Sequence, residues 1–515
     1  MRVAIIGAGF SGITTAKNLR DFGHDVIVYE KCPDIGGVWS STRRYPGLGT
    51  QNNKDTYHFS DMPMPKEFPE WPKSEQVQRY LELYVAKHRL SSVIHLNSEV
   101  KSIERPNSGH GWTVSISTST NSTSALFDHV VVANGTFCEG AIPQFTGLKE
   151  YLAAGGRIAH TSDYSQLDSV QGKNVVVIGY GRSACDIANA VSDESSSTTI
   201  VARRVFWKLP RKIFNVLNYK YLLLTRLGES LFKYIDPSPM ESFLHGPIGK
   251  YIRGSLMGSL GSVIQRQLRL VELNLLPVGG FETIAASTIS LSTEGFYDKL
   301  RKGEKLFIKR DTQINRLYVT PDGQTMAQLS SSSNTEEVKD IKADVIICGT
   351  GFHQRAPFLP SEIHDKLTDA NGNWIGLYRH ILPIGIKDLT FNGYNSSLFC
   401  ATSSEVAALW IAAYLEGGIL NLPSETEQSQ KALARFQWLD ERAHGKTAHG
   451  TNTVPFSLRP IDDMLKDLNL HLSTFDSLMQ WLLPVNPSAY SRLNAALKAR
   501  IEAKHSATLR QKKVL

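Results

Sequence analysis

The sequence predicts an α/β fold built on two Rossmann-type, doubly wound dinucleotide-binding units. Three observations carry that expectation. A glycine turn, Gly7-Ala8-Gly9-Phe10-Ser11-Gly12, follows a short apolar run, and a second, Gly179-Tyr180-Gly181-Arg182-Ser183-Ala184, follows another. The strands after the two turns end differently, in Glu30 and in Arg203-Arg204. A late apolar run, Ala343-Asp344-Val345-Ile346-Ile347-Cys348, reads as one more buried strand ending at small residues.

Val3-Ala4-Ile5-Ile6 is rich in β-branched residues, as a strand buried on both faces requires. In a G-x-G-x-x-G turn, Gly7 permits the tight bend, Gly9 lets backbone approach a pyrophosphate, and Gly12 lets helix and strand pack closely. Ile13, Ala16 and Leu19 then recur on one helical face. The N-terminus of that helix offers N–H groups and partial positive charge to phosphates. Val26-Ile27-Val28-Tyr29 is the next strand, and Glu30 stands where a carboxylate meets a ribose hydroxyl.

Gly36-Gly37-Val38-Trp39 suits a loop lying against a flat ring system. A long polar loop runs from Tyr45-Pro46-Gly47 through Thr50-Gln51-Asn52-Asn53-Lys54-Asp55 into Phe59-Ser60-Asp61-Met62-Pro63. Loops of that length either carry function or lack order. Taken with the first turn and Glu30, these motifs resemble the flavin-containing monooxygenases. That family uses FAD and NADPH to insert one atom of O2 into organic substrates.

The resemblance implies FAD contacts from Gly7, Ala8, Gly9, Phe10, Ser11, Gly12, Glu30, Lys31, Gly37, Val38 and Trp39. It extends them to Thr50, Gln51, Val100, Asn134, Gly135, Thr350, Gly351, Asn395 and Ser396. In the family an Asn of the polar loop sits beside flavin and nicotinamide. Aligning Thr50 and Lys54 places Gln51 there, with Asn52 adjacent, and makes these two amides the candidate catalytic donors to a C4a-hydroperoxyflavin.

Further along, a helix is expected near 76–88, strands at 98–103 and 112–116, and a polar hairpin over 115–124. Val130-Val131-Val132-Ala133-Asn134-Gly135 matches a flavin-side strand of the family. Phe145-x-Gly147 and Gly156-x-x-x-His160-x-x-x-Tyr164 resemble its identifier motif with extra residues between the halves; His160 is expected to orient the second unit.

The second turn follows Val175-Val176-Val177-Ile178, with Ala184 in the last glycine's place. Gly179, Gly181, Arg182, Ser183 and Ala184 are the candidate contacts there. Guanidinium groups suit a 2′-phosphate through charge-assisted hydrogen bonds, so Arg203 and Arg204 read as an NADPH signal, with Lys208 and Arg211 nearby to assist.

Residues 213–290 read as a helical insertion shaping substrate access, 317–329 as a hairpin about Pro321-Asp322-Gly323, and 330–333 as a polar connector. A buried helix is expected over 404–415, its N-terminus toward the flavin. The run Ala343–Cys348 with Gly349-Thr350-Gly351-Phe352 resembles the family's marker for the return to the first unit, which implies units of 1–165 and 341–450 for FAD, an inserted 166–340 for NADP, and a helical extension at 451–515.

A net charge of +7 on 515 residues is mild and dispersed, which argues against a nucleic-acid partner. The five cysteines (Cys32, Cys138, Cys185, Cys348 and Cys400) form no C-x-x-C pair, and no metal-ligating set stands out. A strand at the N-terminus in place of a leader, scattered cysteines and no long apolar run give a cytoplasmic expectation, without integral membrane association. A homo-oligomer stays open.

Tyr45-Pro46-Gly47 also resembles the Baeyer–Villiger monooxygenases, but Leu48-Gly49-Thr50 replaces their Arg-Cys-Asp and Tyr164 their Trp. Epoxidation, hydroxylation or N- or S-oxygenation of a small organic substrate therefore ranks first, in a chain that looks like fungal enzymes of secondary metabolite biosynthesis. A non-oxygenating NAD(P)H:flavin dehydrogenase and a catalytically silent NADP-binding sensor are the alternatives of another class.

Overall fold

The computed structural model describes the chain except residues 108, 166, 287–288, 332–337, 396, 443–457 and 515, and the backbone alone at 168, 338 and 507–514. Two five-stranded parallel sheets organise it. In chain order their strands are β1 (Arg2–Ile6), β2 (Asp25–Tyr29), β3 (Ile94–His95), β4 (His129–Val132), β5 (Arg157–His160), β6 (Asn174–Ile178), β7 (Ser197–Ala202), β8 (Leu306–Arg310), β9 (Val345–Cys348) and β10 (Leu389–Phe391). The first sheet runs β10-β4-β1-β2-β3 and the second β8-β7-β6-β9-β5.

Central strands are apolar because both of their faces are covered. Ile5 pairs in register with Val28 and Val131, and Val177 with Ile200 and Ile347; all are fully buried.

One expectation is corrected here. The run ending in Cys348 does not return to the first sheet. As β9 it lies between β6 and β5 in the second. The glycines give the physical reason. A Cβ on Gly7 would sit 2.6 Å from the carbonyl oxygen of Ala133, just beyond β4, and one on Gly179 would sit 2.4 Å from that of Gly349, just beyond β9. Both glycines have φ near +110°, which L side chains rarely adopt. So β9 does for the second turn what β4 does for the first. Its apolar sequence carries no label for which sheet it joins, and β10 is the strand that returns.

The longer helices are α1 (Phe10–Asp21), α2 (Ser74–Lys87), α3 (Arg182–Val191), α4 (Gly249–Gln267), α5 (Cys400–Leu415), α6 (Glu425–Arg442) and α7 (Leu458–Asp467). Helix α5 starts four residues before the expected Ser404 and is buried nearly all round. It clamps α1: Ser11 and Ser404 hydroxyls meet at 2.9 Å, and the Asn392 amide donates to Thr15 Oγ1 and to the Ser404 carbonyl, each at 2.9 Å.

Two antiparallel three-stranded sheets flank this frame, one of them built on the expected hairpin, Thr312–Val319 with Thr325–Ser331. The polar connector expected at 330–333 is strand through Ser331, and 332–333 lie outside the described residues.

In the helical insertion, Pro239 opens a helix (Pro239–His245) instead of breaking one. Ser238 and Glu241 form its capping box, and proline at the first position has no N–H to leave unpaired. The insertion is tied to α7 by a bidentate pair, Arg226 to Asp462 at 2.6 and 2.8 Å. No helix among the described residues is long and apolar enough to cross a membrane.

Candidate active site

Both glycine turns open onto one cavity of about 770 Å3. Gly9 and Gly181 are the N-cap residues of α1 and α3, and neither helix start carries a side-chain cap. The leading N–H groups of both helices are therefore left to whatever the cavity holds.

The first turn is shaped for a pyrophosphate. A Cβ on Gly12 would lie 1.9 Å from the Gly7 carbonyl oxygen, so only glycine lets α1 come this close. Gly9 faces Gly37, whose Cα stands 3.6 Å from the position of a Cβ, and the space between the two loops is open backbone surface. Glu30 closes the end of β2: it accepts Ala8 N–H at 2.7 Å and Cys32 N–H at 2.9 Å. That pins a buried carboxylate beside the turn with lone pairs to spare for a ribose. The cradle, the acid and the bracketing glycines fit FAD.

Phe10, Trp39 and Tyr57 build an aromatic wall. Tyr57 lies 5.2 Å from Phe10 and 6.1 Å from Trp39 between ring centroids. Burial holds the Tyr57 phenol well above its ordinary range, so it stays protonated, and it accepts from the Cys400 thiol at 3.2 Å.

The polar loop crosses between the two turns. Gln51 Oε1 accepts the Leu291 N–H at 3.1 Å, which fixes the amide's orientation and leaves Nε2 as its donor end. The Gln51 carbonyl accepts from Tyr219 at 2.6 Å. Asn52 is buried, and its Nδ2 donates to the Leu398 carbonyl at 2.7 Å, so one of its two donors is already used. Both residues line the cavity.

Most sequence-designated residues meet there: Gly7, Gly9, Phe10, Ser11, Glu30, Lys31, Gly37, Val38, Trp39, Val100, Asn134, Gly135, Gly181, Arg182, Ser183 and Gly351 all line it. Ala8, Gly12, Gly179 and Ala184 stand behind the turns as support. Thr50 is buried with its hydroxyl unpaired, Thr350 donates to the Ala141 carbonyl, and Asn395 is buried with its Nδ2 3.7 Å from Met464 Sδ; none of these three lines the cavity. Ser396 lies outside the described residues.

In the second unit Arg182 is already engaged. Its Nε donates to buried Asp186 at 2.6 Å and its Nη1 to the Leu291 carbonyl at 3.0 Å, bracing the turn against the strap that positions Gln51. Arg203 and Arg204 are exposed at the end of β7 and do not line the cavity. Lys208, expected to assist them, is 1% exposed. It donates to Ser290 Oγ at 2.9 Å beneath the Tyr180 ring, and burial lowers its pKa; it is not placed to reach a phosphate at the β7 end.

His160 is also fully buried. Its Nδ1 meets Ser162 Oγ at 2.9 Å, its ring packs on Phe352 at 4.7 Å, and burial depresses its pKa, so it is a neutral wedge at the second sheet's edge. Tyr57, Arg43, Cys400, Ala286, Ile289 and Arg442 line the cavity without having been singled out. Arg43 and Tyr57 belong to the polar loop and its approach, while Cys400, Ala286, Ile289 and Arg442 come from distant segments with nothing in their local sequence to mark them.

The family profile described as Flavin-binding monooxygenase-like matches residues 1–247, the stretch holding the first cradle, the polar loop and the second turn. Over those residues the chain is similar to this flavin-binding monooxygenase-like family. Dimethylaniline monooxygenase (N-oxide-forming) 2 of Macaca mulatta is 25% identical over 466 residues, covering 84% of this chain and 76% of that one. Probable flavin-containing monooxygenase 1 of Arabidopsis thaliana is 25% identical over 511 residues, covering 91% and 92%. Among solved structures, the S-allyl-L-cysteine S-oxygenase of Allium sativum superposes with a TM-score of 0.61 at 19% identity over 98% of both chains, a likeness of fold. These likenesses support FAD and NADPH as the cofactors, and FAD is the group the first cradle fits.

Proposed function

We propose that this chain is an FAD- and NADPH-dependent monooxygenase that places one atom of O2 on a small organic substrate by epoxidation, hydroxylation or N- or S-oxygenation, in specialised metabolism. The observation that carries this reading is that both glycine turns share one cavity. Two uncapped, glycine-started helices open onto it from two sheets, and the Gln51–Asn52 loop crosses between them. When bound, FAD supplies the redox chemistry, taking electrons from NADPH and activating O2.

The chain's own residues bind, orient and keep water out. In this reading Gly7 to Gly12 with α1 hold the pyrophosphate and Glu30 the ribose, while Gly37, Val38 and Trp39 cover the ring system. Gly179 to Ala184 hold the second pyrophosphate, and the outlying Arg203 and Arg204 read a 2′-phosphate at the end of β7. Gln51 Nε2 supplies a neutral donor at the reacting face. Its oxygen accepts the Leu291 N–H, which fixes the amide, and a neutral amide donates without taking up a proton. The aromatic wall of Phe10, Trp39 and Tyr57 dries that region and slows loss of activated oxygen to water. We place the unit boundaries so that β5 to β9 form the NADP unit, within a FAD unit made of β1 to β4 and β10.

The test is direct. Purified protein should carry about one FAD, prefer NADPH to NADH, and turn NADPH and O2 into oxygenated product. A protein that cannot be reconstituted with FAD refutes the reading. A loaded protein that oxidises NADPH with no oxygenated product from any organic acid, amine, sulfide or alkene tried is a dehydrogenase or a sensor instead.

A further inference from the structure

Arg442, the last residue of α6, lines the cavity with Leu439 of the same helix, as do Phe206, Ala286 and Ile289. Its Nε donates to the Ala285 carbonyl at 2.6 Å, and its guanidinium lies over the Trp438 ring at 5.2 Å. Nη2 is buried with no hydrogen-bond partner. Arg435, on the same helix and close enough to act on it electrostatically, spends its donors on His380 Nε2 and Tyr234 Oη, each at 2.8 Å, while Arg226 and Arg379 are paired with Asp462, Asp463 and Asp467. Arg442 makes no ion pair among the described residues.

The acid whose field reaches it, Glu229, is itself fully buried, and burial pushes that carboxyl up to about 8. Glu229 is therefore mostly neutral at pH 7 and supplies little counter-charge. Burial lowers Arg442 only to about 10, which leaves it cationic at neutral pH. A cation held out of water without a counter-ion is costly, and the cost is relieved when an anion joins it.

The position beside the reaction zone is set by the chain. Ile289 and Ser290 lead into Leu291, whose N–H holds Gln51 and whose carbonyl holds Arg182. A ligand paired with Arg442 thus lies along the wall that fixes the loop amide. Of the lining residues on these segments, Phe206, Ala286, Ile289 and Leu439 are apolar, and the Ser290 hydroxyl is already engaged by Lys208 at 2.9 Å. A carboxylate needs only the two parallel N–H bonds that the Nη end of a guanidinium presents.

We propose that Arg442 binds a carboxylate of the organic substrate, so that the substrates this cavity accepts are small organic acids held by the acid group away from the reacting atom. The proposal rests on the monooxygenase reading above and makes Arg442 a specificity-determining residue.

The test uses FAD-loaded enzyme and matched probes: benzoate, phenylacetate, cinnamate and hexanoate, each against its methyl ester. Binding is followed by perturbation of the flavin absorbance. In the wild type, at least one acid should bind about tenfold or more tighter than its ester, the effect of a charge-assisted pair in a desolvated wall. Arg442→Gln should bring acid and ester to within about threefold by losing affinity for the acid, and Arg442→Lys should keep part of the preference. FAD content checks that the variants fold. If Arg442→Gln does not fold, the wild-type acid-to-ester comparison and Arg442→Lys still decide. The proposal is overturned if no acid outbinds its ester in the wild type, or if the preference survives in Arg442→Gln. It is also overturned if that variant's loss falls on the Michaelis constant for NADPH, which would put the guanidinium on the dinucleotide. Failure of the monooxygenase reading shows separately, as protein without FAD or a flavin that NADPH does not reduce.

Discussion

Gly12→Ala adds one methyl group at the tightest point of the first unit. Its carbon would lie 1.9 Å from the Gly7 carbonyl oxygen and 2.9 Å from the Gly7 carbonyl carbon. Both neighbours are backbone, so no flexible side chain can swing aside, and α1 must slide away from its turn by roughly an ångström to restore van der Waals contact. Overpacking of this kind costs about 1–3 kcal/mol of stability. The N–H groups at the start of α1 move with the helix. Losing even one charge-assisted hydrogen bond to a phosphate costs roughly 1.5–3 kcal/mol, or about one to two decades in FAD affinity. Gly181→Ala provides the contrast: nothing lies within 4 Å of its Cβ position, and its φ of −64° suits any residue. Isothermal titration of apoprotein with FAD, beside thermal melts, should show Gly12→Ala weakened at least tenfold and melting lower, while Gly181→Ala keeps wild-type values for both. If Gly12→Ala binds FAD like the wild type, α1 does not owe its cradle position to that glycine and the fit argued for the first turn fails.

Gln51→Ala should leave reduction by NADPH nearly intact while H2O2 released per NADPH rises several-fold, as loss of one donor worth about 1 kcal/mol implies; unchanged coupling would make the loop purely structural. Replacing both Arg203 and Arg204 with Ala should raise the Michaelis constant for NADPH by about one to two decades and leave that for NADH nearly unchanged; equal effects would show that these exposed side chains do not read the phosphate. Glu405, buried in α5, accepts Ser60 N–H at 2.9 Å and Ser60 Oγ–H at 2.7 Å, and burial raises it from 4.5 to about 7. Because the folded state holds this proton more tightly than the unfolded chain, stability falls as pH rises from about 4.5 through 7 and levels off above, by at most about 3 kcal/mol. Urea midpoints at pH 5 and 8.5 should therefore differ less in Glu405→Gln than in the wild type, and an equal difference would show that Glu405 does not titrate in this window.

Both turns were legible because each glycine answers a local demand: φ of +110° at Gly7 and Gly179, and backbone-to-backbone approach at Gly12. Ala184 was readable as a tolerated change, since its Cβ packs against Gly349 in place of the carbonyl contact that bars a side chain at Gly12. Glu30 was readable because it is one residue past a strand. What stayed hidden depends on partners far along the chain. A fully apolar strand such as β9 carries no mark of its sheet, so its placement is settled by pairing with β6 and β5. Lys208 reads as a basic residue near two arginines, yet the fold turns it inward onto Ser290. Arg442 looks like an ordinary cation in a charged helix, and only its place in the cavity wall, with a buried Nη2 and no carboxylate partner among the described residues, sets it apart.

The clamp of α5 on α1 carries a consequence for biosynthesis. The strands from β5 to β9 form one contiguous stretch, so a nascent chain can close its second sheet before β10 or α5 has been made. The first sheet meanwhile waits with one edge open, and α1 waits with Ser11 and Thr15 lacking the groups that later join them. Domains commonly mature on the ribosome in N- to C-terminal order. Here the insertion reverses that order: the later nucleotide fold is finished first, and the cradle encoded at the very start is sealed only after Leu415 emerges. Flavin loading then becomes one of the last steps of maturation, and premature termination between β9 and β10 would yield a complete second fold attached to an unsealed first.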